Sequence, residues 1–427
     1  MPLEPLSIYV LVDALGWELI KDRPFLDDIL TEKRSLTTIL GYSSGAIPSI
    51  LCGRPPSEHG HWNLFYYSPA TSPFRWTRPL SRLPAPLREN RVARRLLKGV
   101  ARRVSGYTGY FSLHAYPVPH LPYFDMTEKR DIYQPGGLDA PSIFDVFVRH
   151  GIRWETYSYH RHTDAQILDL APRRARQTDA RVLFLYLSGL DHYLHWNVHD
   201  REGVHAQLDW YAHGLREIWR AAQQARDDVR MVLFSDHGMT PIRWTYDLAR
   251  DVRALGLRLP GDYLSAYDST MARFWVWNDR ARATLEALLA DHPCGQLLSP
   301  AELDRLGVWF EDGRYYHLLF LARPGLLISP SDMGHVRFAG MHGYHPSEPT
   351  ADAVLLSTIE VPKPVDHITA IQRVLLGDLG VPGSGGPDMA PTPPALGSAP
   401  GSPGRSSTTR SSHQPPALEV ATPVKHT

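Results

Sequence analysis

Short apolar runs recur along the chain: Ser7–Asp13 (SIYVLVD), Arg153–Tyr159 (RWETYSY), Val182–Ser188 (VLFLYLS), Arg230–Ser235 (RMVLFS) and Ala353–Ser357 (AVLLS). Apolar character that continues through a run, rather than alternating, predicts strands buried on both faces, as in a parallel sheet. Between them the apolar spacing predicts helices over Ser142–His150, roughly Glu202–Arg226, and Arg280–Ala290. Strands alternating with helices predict an α/β fold: a doubly wound, mostly parallel sheet with helices on both faces. In that architecture ligands bind beyond the carboxyl ends of the strands. Asp13 and Asp236 stand at such ends, and Asp191 follows the third run by three residues.

Two stretches break the pattern. Residues 62–140 are rich in aromatics, Pro and Arg, and residues 245–340 mix short apolar and polar pieces. We read them as lid segments inserted into one catalytic domain over residues 1–380. Residues 381–427 hold ten of the 37 prolines, among Gly, Ser and Thr with few large apolar residues. Such a segment cannot bury enough surface to offset its ordering entropy, which predicts a disordered tail.

Composition narrows the function classes. Forty-five Lys+Arg balance forty-five Asp+Glu over 427 residues. Whole-chain nucleic-acid binders carry a basic excess, so no stable nucleic-acid complex is expected. No apolar run reaches the ~18 residues a transmembrane helix needs. The opening MPLEPLSIYVLVDALGW lacks a basic n-region and a small-residue cleavage site, and reads as a first strand rather than a signal peptide. Two cysteines, Cys52 and Cys294, imply no disulfide framework, so a cytoplasmic location is expected. Twenty-one histidines raise metal ligation and proton transfer as chemistries to look for.

The candidate ligands cluster at strand ends. Asp13 follows the first run, and Asp236 and His237 follow the fourth in FSDHGM. Asp191 and His195, in SGLDHYLHW, are one helical turn apart and would share a face. His342 lies in AGMHGYHP. Mixed carboxylates and imidazoles suit zinc or manganese better than calcium or magnesium. Six such ligands divide into two sites, and a two-metal site can hold both the attacking and the leaving oxygen of an in-line phosphoryl displacement. Ser43 and Ser44 precede a helix expected over Ala46–Cys52. Free N–H groups at a helix start suit an incoming phosphate. Taken singly, each residue has a plainer reading: Asp236–His237 as a capped turn, Asp191 and His195 as surface residues, and His59 as a brace for its loop.

In this order the segments resemble the alkaline phosphatase superfamily, and within it the type I phosphodiesterase/nucleotide pyrophosphatase branch. The resemblance rests on Asp13, the Gly53–Gly60 stretch after the serine helix, the Asp191/His195 pair, Ser235–Met239 (SDHGM) and His342–Tyr344. It spans roughly residues 7–357. It implies Ser43 rather than Ser44 as nucleophile, ten residues before Gly53. It implies one metal on Asp191, His195 and His342 and a second on Asp13, Asp236 and His237. It also implies zinc in both sites, with manganese as the alternative. Two departures stand out. The branch usually has Thr where this chain has Ser43, and an Asn where it has Ala46; Asn63, Ser44 or backbone N–H groups are the candidates to bind the phosphoryl oxygen instead. SSGAI does not match the nucleophile pattern of sulfatases. The implied activity is hydrolysis of phosphodiester or pyrophosphate bonds in a small molecule. The alternatives are a phosphomonoesterase or phosphomutase of the same superfamily, and a non-catalytic binding protein with a degenerate site.

Two features stand apart from this chemistry. Residues 88–103 (RENRVARRLLKGVARR) carry seven basic residues against Glu89, with a broken apolar stripe of Val92, Leu96, Leu97, Val100 and Val104. The pattern fits either a solvated helix or peripheral contact with an anionic membrane. Trp62, Phe65, Tyr66, Tyr67, Phe74 and Trp76 fit either a substrate-stacking surface or a small core of their own. Oligomeric state leaves no mark in the sequence.

Overall fold

In the computed structural model, which describes residues 4–334 and 337–381, the apolar runs assemble into one six-stranded sheet. Its order is Glu32–Leu36, Ala353–Ser357, Val229–Phe234, Leu6–Val12, Val182–Leu187, Trp154–Tyr157. Leu6–Val12 pairs in parallel with both neighbours, and Trp154–Tyr157 runs parallel to Val182–Leu187. Every residue of Leu6–Val12 is buried. Leu6, Ile8, Val10 and Val12 enter one core, while Tyr9 and Leu11 enter the core on the opposite face. That two-sided burial is why the run is apolar apart from Ser7, whose Oγ donates to Asp378 Oδ2 at 2.6 Å.

Helices cover both faces. Arg201–Gln223 buries Val204, Leu208, Tyr211, Leu215, Ile218 and Ala222 at three- and four-residue spacing. Ile143–Arg149 and Asp164–Gln177 begin with capping boxes, Ser142 with Asp145 and Thr163 with Gln166.

One strand departs from expectation. Ala353–Ser357 runs antiparallel to both Val229–Phe234 and Glu32–Leu36, although its apolar run reads as a parallel strand. Full burial makes a strand apolar whichever way it points, so periodicity carries no direction. The edge strand Glu32–Leu36 (EKRSL) was not foreseen at all, since its charges hide a strand signal.

Residues 245–340 contain an antiparallel sheet ordered Tyr263–Tyr267, Met271–Val276, Leu318–Ala322, Gly295–Leu297. Residues 62–140 contain the paired strands Phe65–Tyr67 and Phe124–Met126 and the helix Arg91–Ser105. Phe65, Phe74, Phe111, Tyr116 and Phe124 share a core with Leu264, Ala266 and Trp275 of the antiparallel sheet. Trp62 is fully buried against Phe310, Tyr315 and Tyr316. Trp62, Phe65 and Phe74 are therefore core residues. Cys52 and Cys294 are free and buried. Among the described residues no helix is long and apolar enough to cross a membrane. The expected tail, 381–427, lies outside the described residues apart from Val381.

Candidate active site

Three adjacent strands of the central sheet deliver the carboxylates. Asp13 follows Leu6–Val12, and Asp236 and His237 follow Val229–Phe234. Val182–Leu187 leads into the helix Gly189–Asn197, which carries Asp191 and His195 one turn apart. The two-residue strand Gly340–Met341 pairs with Thr240–Pro241 and so brings His342 back over the site. There the rings of His342 and His237 stack with centroids 3.7 Å apart and planes 13° from parallel. Ser43 opens the helix Ser43–Cys52, and its Oγ lies 2.9 Å from His237 Nε2.

Close backbone approach makes this convergence possible. A Cβ on Gly238 would lie 2.3 Å from Thr350 O, and one on Gly16 would lie 2.8 Å from the Cα of Gly238. The glycine of SDHGM thus lets the loops after two neighbouring strands touch.

The donor set faces inward. Asp191 Oδ2 is 3.3 Å from His195 Nε2, and Asp191 Oδ1 is 3.5 Å from His342 Nε2. His237 Nε2 is 3.2 Å from Asp236 Oδ2 and 3.6 Å from Asp13 Oδ1. Nδ1 of His195 contacts Gly340 O at 2.9 Å, and Nδ1 of His237 contacts Gly238 O at 2.9 Å. A carbonyl only accepts, so each Nδ1 carries a hydrogen, and Nε2 is the ring nitrogen turned toward the carboxylates.

The electrostatics of the bare site are unfavourable. Burial, then the charges of Asp236 and Asp191, push the Asp13 carboxyl well above the ordinary carboxylate range. Burial also raises the Asp191 carboxyl, but the charge and hydrogen bond of His195 outweigh it and hold Asp191 low. Burial lowers His195, yet Asp191 reverses this and raises it. Burial and the neighbouring His237 push His342 well below the usual imidazole range, so it is neutral, as a metal ligand must be.

These residues fit divalent metal ions. Asp13 Oδ1, Asp191 Oδ1, Asp236 Oδ2 and His342 Nδ1 are buried without a hydrogen-bond partner. Lone pairs facing lone pairs in a buried site call for a cation between them. Ligand atoms of Asp191, His195 and His342 lie within 4.8 Å of one another, as do those of Asp13, Asp191 and His237. Asp191 belongs to both groups, and Asp236 flanks the second.

The secondary candidates are engaged elsewhere. Ser44 Oγ donates to Trp62 O at 3.1 Å, and Asn63 Nδ2 donates to Asp268 Oδ2 at 3.3 Å. Ala46 is buried and offers no side-chain donor. His59 braces its loop: Ser49 Oγ lies 2.9 Å from its Nε2, and its Nδ1 accepts from the His61 N–H.

Supporting residues went unforeseen. Tyr186 donates to Asp13 Oδ2, and Thr38 Oγ1 donates to Asp236 O at 2.6 Å. The Tyr42 ring meets His342 edge-on at 5.5 Å, and its hydroxyl reaches Asp268 O and Thr270 Oγ1. Thr270 Oγ1 in turn donates to His342 O. The one sequence signal for Tyr186 is a lone hydroxyl inside VLFLYL.

Comparison with known proteins bears on the family and the fold. The family model for type I phosphodiesterase/nucleotide pyrophosphatase matches residues 7–345. Murine ectonucleotide pyrophosphatase/phosphodiesterase 5 is 14% identical, with a TM-score of 0.60, covering 88% of this chain and 95% of that one. An inactive variant of it in complex with AMP matches at 14% identity over the same shares, with a TM-score of 0.59. The human counterpart is 13% identical, with a TM-score of 0.61 and again 88% and 95% coverage. No curated protein matches by sequence. The chain belongs to the type I phosphodiesterase/nucleotide pyrophosphatase family and is a hydrolase with that family's alkaline phosphatase-like fold.

Proposed function

We propose that the protein hydrolyses phosphodiester or pyrophosphate bonds of a small-molecule substrate, with Ser43 as the nucleophile beside a two-metal centre. One observation carries the reading. The unpartnered oxygens of Asp13, Asp191 and Asp236 converge on histidine Nε2 atoms, with Ser43 Oγ 2.9 Å from one of them. Asp191, His195 and His342 would hold one ion, and Asp13, Asp236 and His237 the other. Bound ions would favour the serine alkoxide and neutralise charge on the attacking and leaving oxygens.

The chain's own residues do the rest. Ser43 Oγ forms a bond to phosphorus as the P–O bond to the leaving group breaks. The Ser43 ester is then cleaved by water, which restores the hydroxyl. The N–H groups of Gly45 and Ala46 donate to Tyr42 O, so those of Ser43 and Ser44 at the start of Ser43–Cys52 would receive a phosphoryl oxygen in place of the side-chain amide that Ala46 lacks. Tyr186 and Thr38 hold Asp13 and the backbone of Asp236 in place. The relative captured with AMP supports nucleotide-bearing diesters as the first substrates to try.

Ser43→Ala tests the assignment. Turnover of a chromogenic diester is expected to fall by about a thousandfold or more, while bound metal, measured by elemental analysis, stays at the wild-type level. Full activity in the variant would remove Ser43 from the mechanism.

A further inference from the structure

The helix Arg91–Ser105 is bound to the body along one side only. Leu97 and Ala101 are buried, and Arg94 is tied down by Glu89 Oε2 at 2.8 Å and by Tyr116 O at 2.9 Å. Two parallel stripes lie outside that contact. Val92, Leu96, Val100 and Val104 recur at every fourth residue and are 69%, 64%, 47% and 69% exposed. On the other exposed flank, roughly 100–160° round the helix from Val92, Leu96 and Val100, Arg91, Arg95, Lys98 and Arg102 form a basic stripe at helical spacing. Among the described residues none of these four is in an ion pair, because Glu89 is taken by Arg88 and Arg94.

A helix that only met water would turn charged residues outward, not valine and leucine. The exposure is concentrated: seven of the fourteen exposed large hydrophobic side chains among the described residues fall in residues 76–104. Residues 75–103 hold ten Lys+Arg and one Glu, in a chain whose net charge is +0.

We propose that this helix is a docking surface for an anionic lipid bilayer, lying in the interface with Val92, Leu96 and Val100 inserted and the basic stripe on the headgroups. The chemistry selects this occupant. Nucleic acid would pair with the arginines but leave the apolar stripe in water. A second copy on the same face would set two strongly basic surfaces against each other. A bilayer interface supplies anionic headgroups and an apolar boundary side by side. Leu97 and Ala101 share their core with Phe65, Tyr116 and Trp275, so docking would hold the catalytic body rigidly against the membrane.

Co-sedimentation of the full chain with vesicles tests the proposal. Binding is expected to phosphatidylcholine vesicles containing phosphatidylglycerol and not to phosphatidylcholine alone, weakening in about 0.5 M salt. The double substitutions Leu96→Asp/Val100→Asp and Arg95→Ser/Lys98→Ser are each expected to lower partitioning on the order of tenfold or more, with melting temperature and diesterase activity unchanged. The second pair alters only surface charge and keeps the test decisive if the first misfolds. Equal binding to neutral vesicles, or anionic binding indifferent to both pairs, would overturn the proposal. So would duplex DNA binding, or self-association through this helix, without vesicle binding.

Discussion

At the scale of single residues, burial sets what each ionisable group can do. Asp13, Asp191 and Asp236 crowd together, and the histidine Nε2 atoms of His195, His237 and His342 face them. Away from the site the same rule appears as a structural ion pair. Arg273 and Asp268 are both fully buried, 2.5 Å apart, with Tyr116 and Asn63 completing the carboxylate's partners. Removing one charge strands the other in an apolar setting. Asp268→Asn is therefore expected to destabilise the protein by about 3–5 kcal/mol in urea unfolding; a cost near zero would mean that the pair is solvated. Glu128 offers a pH test. Burial pushes its carboxyl up to about 7, against the single hydrogen bond from the Tyr110 N–H. The unfolded chain releases this proton near pH 4.3, by the value of about 4.3 for a free Glu. Its contribution to stability is thus complete below that pH and is lost as pH rises through about 7. Glu128→Gln is expected to remove on the order of 2 kcal/mol of that decline between about pH 4 and pH 8, measured as unfolding free energy against pH. An unchanged slope would contradict it.

At the scale of elements, strand ends and the loops after them place the site. Gly238 has no room for a side chain, so Gly238→Ala is expected to cost about 1–3 kcal/mol and to displace His237. The check is a paired loss of melting temperature and of metal affinity; loss of neither would mean that the loop yields freely. This is also where the sequence was most and least legible. Asp13 and Asp236 were readable because a charged residue at the end of an apolar run is conspicuous, and Asp191 because it stands one helical turn from His195. Tyr42 and Tyr186 were not, because a tyrosine in a buried segment looks like core until its hydroxyl partner is known. The antiparallel direction of Ala353–Ser357 was lost because periodicity carries no direction, and the edge strand Glu32–Leu36 because its charges mask it. Residues 245–340 read as a mixed block. Their strands alternate with short turns such as Asp268–Thr270, and nothing in one run names its pairing partner.

At the scale of the whole molecule, residues 62–140 and 245–340 share cores with one another and with the central sheet. Tyr42 is the hinge of that connection: it precedes Ser43, leans on His342, and bonds to the Asp268–Thr270 turn that carries the buried ion pair. The fold class was legible from strands alternating with helices, and strand ends and motif order named the six candidate ligands that the structure brings together. What lies beyond the phosphorus was not legible, because no motif in residues 62–140 or 245–340 names a leaving group. The central claim is metal-dependent cleavage of a phosphodiester at Ser43. Its most direct test is the rate on bis-p-nitrophenyl phosphate against p-nitrophenyl phosphate, using metal-stripped protein reloaded first with zinc and then with manganese. The account predicts no turnover when stripped, recovery on reloading, and a preference for the diester of about tenfold or more. Turnover that persists without metal, or a recovered preference for the monoester, would contradict it.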